Sequence, residues 1–314
     1  MHNHKYDVII VGGGPAGLTA AIYCSRSKLD TLLIEKMGCG GQAAIADWIE
    51  NYPGFPEGIS GFDLTQKMEE QAKKFGAQFV FEEVSELTPL KDNTISVKTT
   101  ENEYSSTAVI IASGAAHKRL DIPGENEFSG KGVSYCATCD GPFFKNKDVA
   151  VVGGGNSAIQ EAVYLTRFAS SVNVVHRRGV LRATKILQER AFANEKVKFS
   201  WNSIPVSING GGQVESLTVK DKDSGKESVI PVKGVFIFAG LIPNTAFCMQ
   251  VLKIDDFGYL LTDDMMATSV PGIFACGDSR KKLLRQVVTA AGDGAAAAFS
   301  AQEYIDEIKG TRYK

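Results

Sequence analysis

The sequence predicts an α/β protein of two domains, because one pattern of residues occurs twice in the chain. In each copy a short apolar run is followed by a glycine-rich turn, a helical stretch and a second apolar run. A strand, a glycine turn, a helix and a parallel strand make the βαβ unit that binds dinucleotides at the turn. The chain has 314 residues, which is enough for two cores of ordinary size. We therefore expect two Rossmann-like dinucleotide-binding domains, each with a parallel sheet and an antiparallel meander.

The first glycine turn follows the apolar run at 6–11 and has the form GxGxxG. Gly12 permits the tight turn, Gly14 lets a pyrophosphate approach the backbone, and Gly17 lets the helix pack closely against the strand. The helix N-terminus offers unpaired N–H groups and a partial positive charge to the phosphate. The turn comprises Gly12, Gly13, Gly14, Pro15, Ala16 and Gly17, a helix continues through Ser27, and the next apolar run ends at Glu35.

The second glycine turn follows the apolar run at 148–152 and has the form GxGxxA. Its predicted binding residues are Gly153, Gly155, Asn156, Ser157 and Ala158, with a helix to about 168 and a strand at 172–175. Glu35 lies 35 − 12 = 23 positions after Gly12, and His176 lies 176 − 153 = 23 positions after Gly153. The two copies therefore agree in spacing as well as in order.

The residues at this shared position predict different nucleotides. Glu35 can accept hydrogen bonds from ribose hydroxyls and would repel a 2′-phosphate, so the first site suits FAD or NAD. The second copy continues with His176, Arg177 and Arg178, and Arg182 follows closely. A group of guanidinium donors binds a 2′-phosphate well, which favours NADPH. In isolation this basic stretch would indicate a solvated turn after a strand, but its position in the repeat favours a coenzyme site.

The repeat extends beyond the two turns. Residues 78–108 and 197–233 alternate in polarity and contain turn signals, which predicts an antiparallel meander in each domain. Each meander is followed by an apolar strand that ends in glycine, at Gly114 and at Gly240. The two domains should therefore share one plan over most of their length.

The C-terminal tail is predicted to complete the first domain. It contains an apolar strand at 272–276, then Gly277 and Asp278, and a helix at about 285–308. Such a loop can reach the ribityl chain of a flavin, and the positive helix end would stabilise the anion of reduced flavin. The FAD-binding domain is then discontinuous, at 1–117 and 246–314, and the NADPH-binding domain at 118–245 is inserted into it. Short turn-like segments at both boundaries would act as paired hinges.

Two cysteines, Cys136 and Cys139, lie three positions apart in the inserted domain. Zinc needs further ligands that the sequence does not supply, so no metal site is predicted. The start of a helical turn lowers a thiol pKa and the spacing allows a short disulfide, which favours redox chemistry over inert packing. Asp140 follows directly, and its carboxyl could relay the proton that a newly formed dithiol needs, although Asp-Gly is also a common turn pair.

Composition and charge argue against several classes of partner. A formal net charge of −2 gives no electrostatic reason to expect nucleic acid or an anionic membrane. The N-terminus lacks the hydrophobic stretch of a signal peptide, and no run approaches the ~20 apolar residues of a membrane span. Six cysteines are too few for a disulfide scaffold, and Cys24, Cys248 and Cys276 are predicted to be buried packing residues. We therefore expect a cytoplasmic protein.

A set of motifs follows the order of a known family: GGGPAG, GGQ, ENYPG, CATCDG, GGGNSA, HRRGVLR, and FACGD followed by RQVVTAAGDGAAAA. In these motifs the chain resembles the low-molecular-weight bacterial thioredoxin reductases over essentially its whole length. The resemblance implies a homodimer in which electrons pass from NADPH through FAD and a Cys136/Cys139 disulfide to thioredoxin or a thioredoxin-like protein. It also implies that Cys139 faces the flavin, that Cys136 attacks the disulfide of thioredoxin, and that Asp140 is the acid.

The resemblance further implies which residues contact FAD. Besides the first glycine turn, they are Glu35, Gly41, Gln42, Asn51, Val84, Gly277, Asp278, Arg285, Gln286 and Val287. Two rivals remain open. One is a flavin oxidoreductase on the same scaffold, of the ferredoxin-NADP reductase or NAD(P)H oxidase type, against which the CATCD motif argues. The other is a non-catalytic redox sensor that responds to NADPH, which would show no thioredoxin turnover.

Overall fold

The computed structural model describes residues 4–46, 49 and 51–311, apart from the side chains of Thr138 and Cys139. In chain order the strands are β1 (Lys5–Val11), β2 (Thr31–Glu35), β3 (Gln78–Phe81), β4 (Val84–Pro89), β5 (Ile95–Thr99), β6 (Glu103–Ile111), β7 (Ala115–His117), β8 (Val133–Ser134), β9 (Asp148–Val152), β10 (Ser171–Val175), β11 (Val197–Ser200), β12 (Ser203–Asn209), β13 (Ser216–Asp221), β14 (Glu227–Pro231), β15 (Gly234–Ile237), β16 (Leu241–Pro243) and β17 (Ile273–Ala275). The α-helices are α1 (Pro15–Arg26), α2 (Gly41–Ala44), α3 (Gly61–Lys74), α4 (Ala137–Asp140), α5 (Asn156–Leu165), α6 (Lys185–Phe192) and α7 (Val287–Lys309). Short 3₁₀ helices occur at Gly141–Phe144, Ala246–Cys248 and Gly277–Ser279.

The chain divides into two compact units, and the second interrupts the first in sequence. The first unit comprises residues 1–116 and 242–314, and the second comprises residues 117–241. The sequence analysis had drawn the two boundaries after 117 and after 245. The chain leaves the first unit through β7 and returns through β16, and these two short strands pair with each other.

The first unit is built on a parallel sheet in the order β3-β2-β1-β6, with β17 also paired to β6. The central strand β1 is apolar on both faces, because Val8 and Ile10 pack into one core cluster while Ile9 and Val11 pack into another. Helices α1, α3 and α7 supply the first cluster, and the segment after the 3₁₀ helix at Ala246–Cys248 contributes to the second. A strand covered on both faces reads as a continuous hydrophobic run, which is why residues 8–11 do not alternate.

The strand β6 joins the parallel sheet to the antiparallel meander. Its first half pairs antiparallel with β5, from Ser106 to Glu103, and its second half pairs parallel with β17, from Val109 to Ile111. Exposure falls along the strand in the same direction. The sequence analysis predicted a meander followed by a separate apolar strand, and this was wrong for the first unit because one nine-residue strand serves both.

Two strands assigned to the meanders belong instead to the parallel sheets. β3 pairs parallel with β2, and β11 pairs parallel with β10. Each follows a helix, α3 or α6, and a strand that returns after a helical crossover lies parallel to its neighbour. The sequence analysis did not predict α3, although Ser60 caps it by accepting a hydrogen bond from the Asp63 amide at 3.0 Å. The spacing of Leu64, Met68 and Ala72, all buried, also indicates a helix.

The second unit repeats the plan with one difference. Its sheet is parallel throughout, in the order β11-β10-β9-β15-β8. The meander β12-β13-β14 forms a separate antiparallel sheet of three strands. On β9, Val149 and Val151 pack into one cluster, and Ala150 and Val152 pack into the other. The predicted fold class, two Rossmann-like domains of parallel sheet plus meander, is confirmed.

The longest helix, α7, packs against α1 with little space between their backbones. A Cβ placed on Gly294 would lie 2.1 Å from the carbonyl oxygen of Ala16, which no real contact permits. A Cβ placed on Gly292, two residues earlier on the same helix, would meet nothing within 4 Å. Although α7 has 23 residues, none of the helices in the described ranges has both the length and the apolar character needed to cross a membrane.

This contrast predicts opposite effects for two alanine substitutions in one helix. Gly294→Ala should lower the free energy of unfolding by about 2 kcal/mol or more, because the helices must move apart. Gly292→Ala should raise it by roughly 0.5 to 1 kcal/mol, because alanine has the higher helix propensity and fits the open space. Thermal unfolding of both variants with bound FAD measures the difference, and equal shifts in the same direction would contradict the packing described.

Candidate functional site

The first glycine turn lies between β1 and α1 and fits the backbone of a neighbouring strand. Gly12 has φ +109°, and a Cβ there would lie 2.4 Å from the carbonyl oxygen of Ala112. A Cβ on Gly17 would lie 1.8 Å from the carbonyl oxygen of Gly12. Gly14, in contrast, faces open space, and no side chain caps the helix that begins after it. The turn is therefore tight where it touches protein and open where a phosphate would approach the helix N-terminus.

The second glycine turn, between β9 and α5, has the same geometry. Gly153 has φ +151°, and a Cβ there would lie 2.6 Å from the carbonyl oxygen of Phe238. Gly155 faces open space and precedes a helix without a side-chain cap. Ala158 stands where the first copy has glycine, and its Cβ would lie 2.7 Å from one on Gly153. Each unit therefore presents one uncapped helix start at the end of its central strand.

Glu35, at the end of β2, is bound to the first glycine turn. One carboxylate oxygen accepts a hydrogen bond from the Gly13 amide at 2.7 Å, and the other accepts one from the Lys36 amide at 2.8 Å. The Gly40 amide donates to the Gly13 carbonyl at 2.7 Å, so the segment before α2 also lies beside this turn. A carboxylate fixed here disfavours a nucleotide with a 2′-phosphate and leaves lone pairs for ribose hydroxyls.

Two buried polar atoms in the C-terminal part of the first unit lack partners. They are Oδ1 of Asp278 and Nε of Arg285. Burial raises the pKa of Asp278 despite the opposing charges of Lys282 and Arg285. The Arg285 guanidinium lies 4.1 Å from the ring centroid of Tyr259, which holds it in place. Buried groups with unmet hydrogen bonds suit a polar ligand, so this region fits the hydroxyl-bearing chain of a flavin nucleotide.

The remaining residues predicted to contact FAD are spread over the first unit. Asn51 donates from Nδ2 to Oε1 of Gln286 at 2.9 Å, which ties the loop after α2 to the residue before α7. Val287 is the first residue of α7 and is half-buried. Val84 opens β4 and packs, half-buried, against the cluster that contains Val11 and Ile34. Gly41 and Gln42 begin α2 and are exposed, and a Cβ on Gly41 would lie 3.2 Å from Cα of Gly14.

His176 lies beside the second glycine turn, as its position in the repeat predicts, but its ring is turned into the protein. Its ring is buried against Gly154, where an added Cβ would lie 2.4 Å from the ring. Nε2 lies 3.1 Å from the carbonyl oxygen of Val180, and burial lowers the pKa of the imidazole. A neutral, buried imidazole supports the loop and does not offer a charge to phosphate. The sequence analysis grouped His176 with the arginines because it could not show which side chains of the loop point inward.

The three arginines of this loop are exposed. Arg177, Arg178 and Arg182 have no salt bridge with any carboxylate in the part of the chain that is described. The Arg182 amide donates to the Gly154 carbonyl at 2.8 Å, and Oδ1 of Asn156 accepts from the Thr184 amide at 2.8 Å. Ser157 lies on the exposed side of the first turn of α5. The loop is therefore fixed beside the second glycine turn with its positive charges uncompensated.

The cysteine motif lies at the start of α4 in the second unit. Cys136 is half-buried and disulfide-bonded, and its amide donates to Oγ of Ser134 at 3.0 Å. The side chain of Cys139 lies outside the described part of the chain. Asp140 ends α4, is half-buried, and donates from its amide to the Cys136 carbonyl at 3.2 Å. Among the other cysteines, Cys24, Cys248 and Cys276 are free and buried, as predicted, and Cys39 is free and half-buried.

Comparison with known proteins decides the family. The family model described as pyridine nucleotide-disulphide oxidoreductase matches residues 6–294. The thioredoxin reductase of Bacillus subtilis is 52% identical over 98% of this chain and 96% of its own length. That of Listeria monocytogenes is 51% identical over 97% of this chain and 95% of its own. The crystal structure of Lactococcus lactis thioredoxin reductase has a TM-score of 0.84 and 45% identity, and the match covers 96% of this chain and 100% of that one.

The chain belongs to the low-molecular-weight bacterial thioredoxin reductase family. The resemblance stated from the motifs is thereby confirmed, and with it the expectation of an oxidoreductase that uses FAD and NADPH. The residues present fit both FAD and NADPH, because each unit has an uncapped helix start beside a glycine that faces open space. The unmet hydrogen bonds at Asp278 and Arg285 add a second, independent fit on the FAD side.

One residue that suits a ligand was missed by the sequence analysis. Glu161 lies in α5, one turn after Ser157, and its Oε2 is buried without a hydrogen-bond partner. Burial raises the pKa of this carboxyl from its ordinary value of 4.5 to about 7. The signal in the sequence was a charged residue on the helix that opens at the glycine turn. It is weak, because most such residues face solvent.

The raised pKa of Glu161 predicts a pH-dependent stability. Between about pH 4.5 and pH 7 the unfolded chain loses a proton that the folded protein retains, so stability falls with rising pH and stays low above pH 7. Glu161→Gln removes this loss. From about pH 5 to about pH 8, its free energy of unfolding should therefore rise by about 2 kcal/mol relative to that of the parent. Thermal unfolding without NADPH, at about pH 5 and at about pH 8, measures this change in stability. Glu189→Gln, at an exposed position in α6, is the matched control, and identical pH profiles for all three proteins would refute the effect.

Proposed function

We propose that the protein is a flavoprotein disulfide reductase that transfers electrons from NADPH, through FAD and a Cys136/Cys139 disulfide, to the disulfide of thioredoxin. One observation carries the proposal. The disulfide-bonded Cys136 lies at the start of a helix in the same unit as a glycine turn flanked by unpaired arginines. This combination joins a redox-active sulfur to a site suited to NADPH within one fold. Membership of the thioredoxin reductase family supports the choice of acceptor.

The first unit holds the proposed FAD site. The glycine turn at 12–17 would receive the pyrophosphate at the start of α1, and Glu35 would receive the adenosine ribose. Asp278 and Arg285 would satisfy their unmet hydrogen bonds on the ribityl chain. Bound FAD would supply the chemistry that links a two-electron hydride donor to a disulfide.

The second unit holds the proposed NADPH site. Its glycine turn would bind the pyrophosphate at the start of α5, and Arg177, Arg178 and Arg182 would bind the 2′-phosphate. His176 would support this site indirectly, because its ring packs against Gly154 and its Nε2 contacts the Val180 carbonyl. Oε2 of Glu161, which has no hydrogen-bond partner in the protein, would accept a hydrogen bond from a donor group of the coenzyme.

The exchange with thioredoxin is proposed to follow thiol–disulfide chemistry. The reduced Cys136, as a thiolate, attacks one sulfur of the acceptor disulfide, forms a mixed disulfide and releases the other acceptor sulfur as a thiolate. The Cys139 thiolate then attacks Cys136, which restores the enzyme disulfide and releases the second acceptor sulfur. Two electrons and two protons have moved from the enzyme dithiol to the acceptor. Asp140, next to the pair in sequence, is proposed to relay the proton.

Two further features of the proposal come from the family resemblance, and a third, the compartment, comes from the sequence. The acceptor is thioredoxin or a thioredoxin-like protein, and the enzyme is a homodimer. The proposed compartment is the cytoplasm, where the free thiols of Cys24, Cys39, Cys248 and Cys276 would stay reduced.

The cysteine pair provides the direct test of the proposed function. In Cys136→Ser and Cys139→Ser, stopped-flow reduction of bound FAD by NADPH should persist, whereas thioredoxin reduction should fall to background because the dithiol cannot form. Cys248→Ser is the control and should retain both activities, because Cys248 is a free thiol whose Sγ donates to the Thr245 carbonyl, as a serine hydroxyl can. Full thioredoxin turnover by Cys139→Ser would favour the rival in which flavin acts without the thiols.

The arginine loop predicts the choice of coenzyme. Arg177→Gln with Arg178→Gln should lower kcat/KM for NADPH by roughly tenfold to a hundredfold, because charge-assisted hydrogen bonds to the 2′-phosphate are lost. The value for NADH should change little, since NADH lacks that phosphate. Arg190→Gln with Lys198→Gln, at two exposed positions in the same unit, controls for the loss of two positive charges. Equal losses with both coenzymes would show that the loop does not read the 2′-phosphate.

A further inference from the structure

The second unit contains a carboxyl that is almost fully buried but is not paired with a cation. Glu125 is 2% exposed, and it forms no salt bridge within the residues that the structure describes. Its carboxylate accepts from the Tyr135 hydroxyl at 2.5 Å, from the Leu120 amide at 3.0 Å and from the Asp121 amide at 2.7 Å. A buried carboxyl is stable only when donors such as these replace water. The donors come from two separate segments, which Glu125 therefore holds together.

The first of these segments is the start of the second unit. The unit begins at His117, and three residues later the backbone amides of Leu120 and Asp121 point to the Glu125 carboxylate. Asp121 has φ +56°, a left-handed conformation that costs energy for a residue other than glycine. The hydrogen bond to Glu125 compensates for this conformation, so the path of the chain at 117–121 depends on the carboxylate.

The second segment leads directly to the redox disulfide. Tyr135 stacks on His117, with ring centroids 6.0 Å apart, and its hydroxyl donates to Glu125. Burial, and then the hydrogen bond to Glu125, raise the pKa of Tyr135, so the hydroxyl keeps its proton and remains a donor. The next residue is Cys136. The side chain of Tyr135 therefore anchors the backbone at the residue directly before Cys136.

The residues around Tyr135 complete the anchor. β8 pairs with β15 through Val133 and Ser134, and Oγ of Ser134 accepts from the Cys136 amide at 3.0 Å. The backbone is thus fixed on the strand side by the sheet and on the cysteine side by Ser134, while Tyr135 fixes the residue between them. A thiol held on a rigid backbone loses less freedom when it closes a ring, which raises its effective concentration toward its partner.

We propose that Glu125 is a positioning residue for the redox disulfide, acting through the hydroxyl of Tyr135 on the backbone of Cys136. By holding Cys136 in the conformation of the closed ring, the Glu125–Tyr135 pair makes the disulfide harder to reduce. The inference rests on the proposed function only in taking Cys136 and Cys139 as the redox pair. A purely structural role for the same contacts would change the stability of the fold and leave the equilibrium of the disulfide unchanged.

The equilibrium of the disulfide with dithiothreitol tests this role without NADPH or thioredoxin. In this reaction the Cys136–Cys139 bond breaks, both sulfurs take up protons, and dithiothreitol gives up two electrons and two protons to form its own cyclic disulfide. The FAD-bound protein is equilibrated in mixtures of reduced and oxidised dithiothreitol, quenched in acid, alkylated and analysed by mass spectrometry. Tyr135→Phe should make reduction about fivefold more favourable, because one hydrogen bond of the anchor is lost. For a two-electron couple this is a rise in potential of about 20 mV.

The first unit offers a matched control. The Tyr104 hydroxyl donates to the Glu82 carboxylate at 3.0 Å, so Tyr104→Phe removes the same kind of hydrogen bond far from Cys136 in sequence and in the other unit. It should leave the equilibrium unchanged. Glu125→Gln should shift the equilibrium in the same direction as Tyr135→Phe, and the double variant should shift no further than the larger single effect. If Glu125→Gln does not fold, the conservative Tyr135→Phe decides alone.

Two results would overturn the proposal. One is an equilibrium for Tyr135→Phe within about twofold of the parent, and the other is an equal shift in Tyr104→Phe. A separate assay of NADPH oxidation with thioredoxin, on the parent protein, judges the proposed function. If that assay fails while the equilibrium still shifts in Tyr135→Phe only, the acceptor is wrong and the positioning role of Glu125 stands.

Discussion

The close approach of two backbones at each glycine turn is the constraint on which the structure depends. Gly12 passes so near the carbonyl oxygen of Ala112 that no side chain fits, and Gly153 does the same at Phe238. Only a residue without Cβ and with positive φ can turn the chain there. Because the turn is that tight, the following helix begins at the end of the central strand, and no side chain caps its first turn. Both nucleotide sites follow from this one local geometry.

The repeated geometry also explains why one residue position distinguishes the two sites. The second strand of each βαβ unit ends beside the turn, so position 23 after the first glycine lies next to the glycine turn in both copies. In the first unit Glu35 is tied to the turn by a hydrogen bond from the Gly13 amide. In the second unit His176 fills the space under Gly154, and the arginines that follow it are left exposed. The same scaffold thus presents a carboxylate in one unit and uncompensated cations in the other.

Features that depend on local sequence patterns could be predicted for this protein, whereas features that depend on long-range contacts could not. The two glycine turns, the fold class and the buried state of Cys24, Cys248 and Cys276 were readable because each depends on neighbouring residues or on a repeat. Strand partners were not, so β3 and β11 were placed in the meanders although each pairs with a parallel neighbour. The roles of His176 and Glu161 were also hidden. They depend on which residues of distant segments surround them, and a single sequence does not record that.

Two glutamates with buried carboxyl oxygens in the second unit illustrate how hydrogen-bond satisfaction separates structural support from ligand binding. Glu125 is met by three protein donors and therefore holds backbone in place, whereas one oxygen of Glu161 has none and suits a ligand. The account as a whole requires that electrons pass in series through two nucleotides and a disulfide. The visible absorption spectrum of the purified protein tests this most directly. A flavin spectrum that NADPH bleaches without oxygen, and that oxidised thioredoxin then restores, is the predicted result. A protein that stays colourless after reconstitution with FAD, or whose bleached flavin does not respond to thioredoxin, would contradict it.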